Sequence, residues 1–318
     1  MIDEHARQAL DALLGDRVEF DAPLSRHTSL RIGGPADALA TPADRAELGR
    51  LLALCAEHGL PTRVLGAGFN VLVADDGLDG VALRLKKLRG IDRVADDTIA
   101  VEAGASHATI TRYCIDHGLA GLEFGAGIPG TLGGWLAMNA GIGVREMKDV
   151  VRSVTLMDAR GELEPTQPRE RLDFGYRELS GLPEGCVLVG AELQVTPSES
   201  EKVQSEIDRL LAHRTATQPT DIPSCGSVFR NPGGDFAGRL IEAAGLKGTR
   251  VGGAEISTVH ANFIVNHGGA TAQDVLTLIE RAKETVAAET GVELETEVQM
   301  IGRARKDAPA ASEGGAPR

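Results

Sequence analysis

Four stretches carry residue types that can do chemistry. The first is Phe124-Gly-Ala-Gly-Ile-Pro-Gly-Thr-Leu-Gly-Gly-Trp-Leu-Ala-Met-Asn-Ala-Gly141, with glycines at 125, 127, 130, 133, 134 and 141. Residues without a Cβ let backbone approach a partner closely and leave N–H groups free to point at it, which suits an anion such as a pyrophosphate. A tight crossing of two protein segments satisfies the same pattern. The second, Phe174-Gly-Tyr-Arg177, sets a guanidinium after a tight aromatic turn, where an ordinary salt bridge is the plainer reading. The third, Pro223-Ser-Cys-Gly-Ser-Val-Phe-Arg-Asn-Pro232, holds Ser227 between Gly226 and two apolar residues, as a loop serine capping a turn would be. In the fourth, Glu293, Glu295, Glu297 and Gln299 alternate with Val292, Leu294, Val298 and Met300, the pattern of a strand with one solvated face. Residue types alone promote none of the last three to a catalytic role.

Several familiar chemistries are absent or poorly supported. Gly125-x-Gly127-x-x-Gly130 is literally a GxGxxG, but Pro129 sits inside it and further glycines interrupt the long helix that a dinucleotide fold requires. No Gly-Lys-Ser/Thr ends a phosphate loop, and no Gly-x-Ser-x-Gly or His-Glu-x-x-His occurs. His260 and His267 have no convergent ligands, so no metal is expected. A net charge of −13 argues against a nucleic-acid surface or an anionic membrane. It leaves room for an anionic small molecule held by a few arginines and backbone amides. The cysteines at 55, 114, 186 and 225 are dispersed, the N-terminus has no apolar signal core, and no stretch approaches a membrane span. The expectation is a cytoplasmic protein without membrane insertion.

The elements that must position these residues read as short strands and a few helices. Asp3–Leu14 is weakly amphipathic. Thr41-Pro-Ala-Asp44 predicts a helix start with Thr41 as cap, followed by Leu48, Leu51, Leu52 and Cys55 at helical spacing. Ser106–His117 predicts another helix, closed by Gly118. Arg63–Leu65, Val71–Val73, Val81–Leu85, Ile99–Glu102, Val150–Met157 and Cys186–Val195 predict strands. After Val195 the composition changes, and Pro197–Glu201 opens a helix bearing Val203 and Ile207. Thr271-Ala-Gln-Asp274 caps a last clear helix, and Val292–Ile301 predicts a closing strand. The expected organisation is a leading helix over 1–19, a domain over 20–196 with two lobes split near 86, a second domain over 197–302, and a disordered tail over 303–318.

Eight segments in register resemble the UDP-N-acetylenolpyruvoylglucosamine reductase family of bacterial flavoenzymes. They are His27–Asp37, Leu65–Val73, Gly121–Gly134 with Met138–Gly141, Phe174–Ser180, Pro223–Pro232, Ala237–Gly248, His260–Asn266 and Leu294–Gly302. The resemblance implies an α+β fold: a two-part FAD-binding domain of the vanillyl-alcohol-oxidase type, then a C-terminal α+β substrate domain. It implies NADPH-dependent reduction, through FAD, of the enolpyruvyl group of a UDP-sugar to UDP-N-acetylmuramate, for peptidoglycan synthesis and hence cell-wall biogenesis, shape and division. Gly66, Gly68, Asn70, Gly125, Gly127, Gly130, Thr131, Gly133, Asn139 and Gly141 match FAD-lining positions. Ser227 matches the family's proton donor, Arg177 its carboxylate-binding arginine and Glu297 the glutamate facing the reacting carbons. Arg214, Gln218 and Asn231 match positions near the substrate's nucleotide. The family implies a monomer that uses NADPH as co-substrate and binds no metal or nucleic acid. Ser180 runs almost directly into a strand, as in the group without an extra tyrosine loop. Phe69 stands where Ser is usual, and Ile142-Gly-Val-Arg145 replaces the commoner Ala-Tyr-Gly-Gly. The same scaffold also serves oxidases of small alcohols or hydroxy acids. A non-catalytic binder of FAD or a nucleotide sugar is a further reading, against which Arg177, Ser227 and Glu297 together weigh.

Overall fold

A computed structural model describes residues 2–303, so the expected tail lies outside the described residues except for Arg303. The described residues pack around three larger sheets, with two cores on the first and one on each of the others. In the first lobe, α1 (Glu4–Leu14) starts where the Asp3 carboxylate accepts the Ala6 amide at 2.8 Å, and it buries Leu10 and Leu14. The sheet beside it runs Val18–Pro23, Pro35–Ala40, Leu78–Leu83, Thr62–Val64; the first pair is antiparallel and the others parallel. Helix α2 (Arg45–Glu57) begins later than Thr41 predicts. Asp44 is the cap, accepting the Glu47 amide at 2.8 Å, while Glu47 folds back to accept the Ala43 amide at 2.6 Å. Its Leu48, Leu51, Leu52 and Cys55 enter one core with Leu10, Leu14, Val81 and Leu83, as their spacing predicts.

The second lobe is an antiparallel five-stranded sheet in the order Gln167–Pro168, Val151–Met157, Val187–Gln194, Thr98–Glu102, Ile91–Ala95. Helices α3 (His107–Asp116) and α4 (Leu132–Ala137) pack on it. So does α5 (Ser200–Thr217): its Val203 and Ile207 join the core that holds Trp135, Leu136, Val154 and Leu193. The packing therefore does not change at 197, where the composition shift places a boundary, but after α5.

A further core lies under the third sheet, antiparallel and ordered Ser224–Ser227, Phe263–Asn266, Ala254–Ile256, Arg250–Val251, with α6 (Ala237–Ala243) and α7 (Ala272–Thr290). Thr271 and Asp274 close a capping box at the start of α7, as expected. Leu30, Ile32 and Leu72 cross from the first lobe into this core. The last strand is shorter than its alternation predicts, covering only Gln299–Ile301, and it pairs parallel with Val71–Val73. Upstream, the amides of Glu297 and Val298 both donate to the Val228 carbonyl, at 2.8 and 3.3 Å. That shared acceptor breaks the ladder as a bulge does and takes Glu297 off any solvated face.

Candidate active site

These sheets and their helices enclose a cleft of about 900 Å³, near the top of the range of about 300–1,000 Å³ usual for ligand sites. Arg177, Ser227 and Glu297, which come from three separate segments, all line it. Arg177 occupies the second position of the two-residue turn between Asp173–Gly175 and Glu178–Ser180, with φ +57°. A residue with a Cβ in left-handed backbone costs about 1–2 kcal/mol, so the surroundings must hold it there. Its Nε lies 3.4 Å from Glu297 Oε1, its Nη2 donates to the Gly141 carbonyl at 3.3 Å, and its Nη1 lies 3.8 Å from Glu146 Oε1.

Glu297 is mostly buried, and burial raises its pKa above the ordinary carboxylate value against the opposing pull of Arg177 and Arg230. Ser227 ends an edge strand whose pairing slips between Ser224 and Ser227, where Gly226 has φ +94°. No side-chain hydrogen bond engages Ser227 Oγ among the described residues, so it does not cap a turn. Asn70, left-handed at φ +55°, ties these parts together. Its amide donates to the Cys225 carbonyl (3.0 Å), its Nδ2 to the Glu297 carbonyl (3.3 Å), and its own carbonyl accepts the Gln299 amide (3.0 Å).

The glycines divide by what a Cβ would meet. At Gly125 it would strike the Trp135 ring at 2.3 Å, at Gly127 the Ile142 Cδ1 at 2.4 Å, at Gly68 the His27 carbonyl oxygen at 2.1 Å and at Gly141 the Arg145 carbonyl oxygen at 2.4 Å. Those four serve contacts within the protein, and Gly125 and Gly68 do not line the cleft. Gly133 packs on Ala103 at 3.3 Å. Gly66 faces Thr131 Oγ1 at 3.1 Å across the cleft, and Gly130 and Gly134 meet nothing closer than 3.9 Å. The amides of Gly66, Ala67, Gly68 and Phe69 meet no acceptor among the described residues. A run of free donors beside open glycines is the cradle that a pyrophosphate needs.

Arg84 and Arg214 also line the cleft. The Nε of each is buried without a partner, and burial lowers the pKa of both guanidinium groups. Arg84 has only His27 Nδ1 at 2.9 Å, so two cations with no carboxylate partner among the described residues await an anion. The volume, free amides and unpaired arginines fit a flavin dinucleotide. Arg84 has no motif around it, and only its place after the apolar strand Leu78–Leu83 marks it in the sequence.

Gln218 lines the cleft beside Arg214, whereas Asn231 does not; its Oδ1 accepts the Ala237 amide, the first of α6, at 3.1 Å. Asn139 also stays out of the cleft. It is fully buried and bonded to Glu146, Gly175 and Lys148. Among the described residues there is no cluster of potential metal ligands, and no helix is long and apolar enough to cross a membrane.

A model of an FAD-binding domain matches residues 36–166, and a model of the C-terminal domain of UDP-N-acetylenolpyruvoylglucosamine reductase matches residues 218–301. The latter begins after α5, where the packing changes. The chain is 43% identical over 293 residues to the UDP-N-acetylenolpyruvoylglucosamine reductase of Geobacter sulfurreducens, covering 92% of this chain and 97% of that protein. With that of Anaeromyxobacter dehalogenans it is 47% identical over 302 residues, covering 93% and 91%. The crystal structure of the Thermus caldophilus enzyme superposes with a TM-score of 0.76 at 36% identity, over 89% of this chain and 97% of that one. An FAD-binding domain, a reductase C-terminal domain and full-length identity above 40% place this chain in the UDP-N-acetylenolpyruvoylglucosamine reductase family.

Proposed function

We propose that this protein is an FAD-dependent reductase that converts the enolpyruvyl ether of UDP-N-acetylglucosamine to UDP-N-acetylmuramate at the expense of NADPH, in peptidoglycan precursor synthesis. The observation that carries the reading is the meeting of Arg177, Glu297 and Ser227 in one cleft that also offers a pyrophosphate cradle. Bound FAD would supply the hydride chemistry linking NADPH oxidation to reduction of the enolpyruvyl group. The residues of this chain manage the charge that results.

Hydride addition pushes negative charge onto the neighbouring carbon and into its carboxylate. Arg177 pairs with that carboxylate and opposes the growing charge, the electrostatic contribution that usually dominates. Glu297 stands 3.4 Å from the Arg177 guanidinium, and its raised pKa favours the neutral carboxyl that can share the site with a second carboxylate without repulsion. Ser227 Oγ, uncommitted to any protein acceptor among the described residues, delivers its proton to the carbanionic carbon. A serine of ordinary, very high pKa suits so strong a transient base. Gly66, Gly130 and Thr131 with the free amides of residues 66–69 would hold the cofactor pyrophosphate, with Arg84 and Arg214 as the nearby unpaired cations. Gln218 reaches toward the substrate nucleotide. The Arg177 hairpin is joined to the strand Val187–Gln194 through residues 181–186, consistent with the group that lacks the tyrosine loop. The division of domains that this reading uses is a cofactor part ending with α5 and a substrate part after it.

Separating the half-reactions tests the assignment. In Ser227→Ala, NADPH still bleaches the flavin, while reoxidation by the enolpyruvyl substrate slows beyond the factor of about 10²–10⁴ typical of a general acid. Normal turnover of Ser227→Ala removes the serine from this role. Arg177→Ala loses the same half-reaction; a defect confined to flavin retention would make Arg177 structural.

A further inference from the structure

We propose that Glu146, held by Asn139 and Lys148, is a positioning residue for Arg177 and fixes the guanidinium in the orientation that receives the substrate carboxylate. The proposal rests on the role of Arg177 given above. Two backbone positions motivate it: Arg177 at φ +57° and Asn139 at φ +38°, neither of them glycine. Left-handed backbone at such residues persists only where the surroundings over-determine it. For Arg177 those surroundings are visible in detail.

Asn139 is fully buried. Its Nδ2 donates to the Gly175 carbonyl at 2.8 Å, one residue before the Arg177 turn begins, and to Glu146 Oε2 at 3.0 Å. Its Oδ1 accepts the Lys148 amide at 3.0 Å. One amide side chain thus ties the base of the catalytic turn to the segment carrying Glu146. That segment pairs Arg145–Glu146 with Gly141–Ile142, and Gly141 supplies the carbonyl that receives Arg177 Nη2.

Glu146 does not line the cleft. Its carboxylate is shared unequally: Lys148 Nζ lies at 2.6 Å, Asn139 Nδ2 at 3.0 Å and Arg177 Nη1 at 3.8 Å. Coulomb attraction falls with distance, so the ammonium takes most of the charge and Arg177 feels a weaker, directional pull. The arrangement orients the guanidinium without neutralising it. An unshared glutamate at hydrogen-bond distance would compete with the incoming carboxylate for the same cation.

The test uses holoenzyme carrying Glu146→Ala, Asn139→Gly or both, with Arg177→Ala alongside. Glycine at 139 keeps the left-handed backbone accessible while removing the brace. Stopped-flow absorbance reads flavin bleaching by NADPH and recovery with the enolpyruvyl sugar nucleotide. Each single variant raises the substrate concentration for half-maximal recovery by about ten- to a hundred-fold, the loss expected when a part-buried charge loses a partner. Flavin content and bleaching stay within about threefold of the unmodified enzyme. Because both changes remove the same brace, the double variant is no more than about threefold worse than the poorer single one.

Losses that multiply in the double variant, or that slow both half-reactions together with flavin release, overturn the proposal in favour of a general structural role. Normal recovery in Glu146→Ala beside a crippled Arg177→Ala overturns the brace and leaves the function of Arg177 standing. Normal recovery in Arg177→Ala removes the function itself.

Discussion

The side chains of this cleft are tuned by burial and by neighbours rather than by any local motif. Glu297 is the clearest case. Burial raises its folded-state pKa above that of the unfolded chain, so the native state binds the proton more tightly. Such a carboxyl contributes stability while protonated, and the contribution is lost as pH rises through the folded pKa, beginning above the ordinary value of about 4.5. Glu297→Gln, which cannot ionise, is therefore expected to gain in melting temperature relative to the unmodified protein as pH increases from about 4 to about 7. Thermal melts across that range check it; a constant difference would show that Glu297 is not the titrating group. The same variant loses flavin reoxidation if the carboxyl shares the substrate's carboxylate, so this site carries a stability cost in exchange for function.

At the scale of elements, the glycines of the stretch 124–141 and of the loop 66–68 divide between packing and binding. Gly125 abuts the rigid ring of Trp135, Gly127 abuts the flexible end of Ile142, and Gly66 faces only a hydroxyl across the cleft. Gly125→Ala forces a clash that neither partner can relieve cheaply, and overpacking of that kind costs about 1–3 kcal/mol. Gly127→Ala costs less because Ile142 Cδ1 can rotate away. Gly66→Ala leaves the melting temperature of the apoprotein close to normal yet weakens FAD binding, since its Cβ enters the space beside the free amides. Chemical denaturation ranks the first two. Quenching of Trp135, the single tryptophan and itself a lining residue, measures the third. Equal destabilisation by all three would contradict the division. Helix α5 belongs to the same argument: its first half buries Val203 and Ile207 in the lobe of Trp135, and its last turn delivers Arg214 to the cleft.

For the whole molecule, what matters is that the chain returns to where it began. After the third sheet, Gln299–Ile301 pairs with Val71–Val73, and Arg303 reaches Asp37 and Asp79 in the first lobe while its amide donates to the Gly77 carbonyl at 2.8 Å. That closure fixes Glu297 relative to Asn70 and the loop over residues 66–69. Asp37 is nearly inaccessible to solvent and also accepts the Gly80 amide at 3.1 Å, so removing Arg303 weakens one of the contacts that compensate a buried charge. Arg303→Met is expected to lower stability by about 1–3 kcal/mol. It also speeds hydrogen exchange in Gln299–Ile301, readable by mass spectrometry. Unchanged exchange there would mean that the closing strand holds without the clamp.

Much of this was legible in the sequence because it is local. Periodic Leu48, Leu51, Leu52 and Cys55, the capping box at Thr271 and the eight family segments each depend on residues a few positions apart. Alternation also suggested a solvated glutamate face at Glu293–Gln299, and composition suggested a boundary at 197. Glu293, Glu295 and Gln299 are exposed as the alternation predicts, but Glu297 turns into the cleft, and α5, beyond 197, packs its Val203 and Ile207 in the lobe of Trp135, because burial depends on what packs from elsewhere. The sequence alone determined the fold class, the family and which side-chain chemistries were present. Tertiary structure alone decided that Asn139 and Asn231 face protein, that Arg84 faces the cleft, and that Glu146 stands behind Arg177. The reason is physical: spacing along a strand or helix encodes a face, but the partner of that face comes from segments as far as 266 residues away, as in the bond from Arg303 to Asp37.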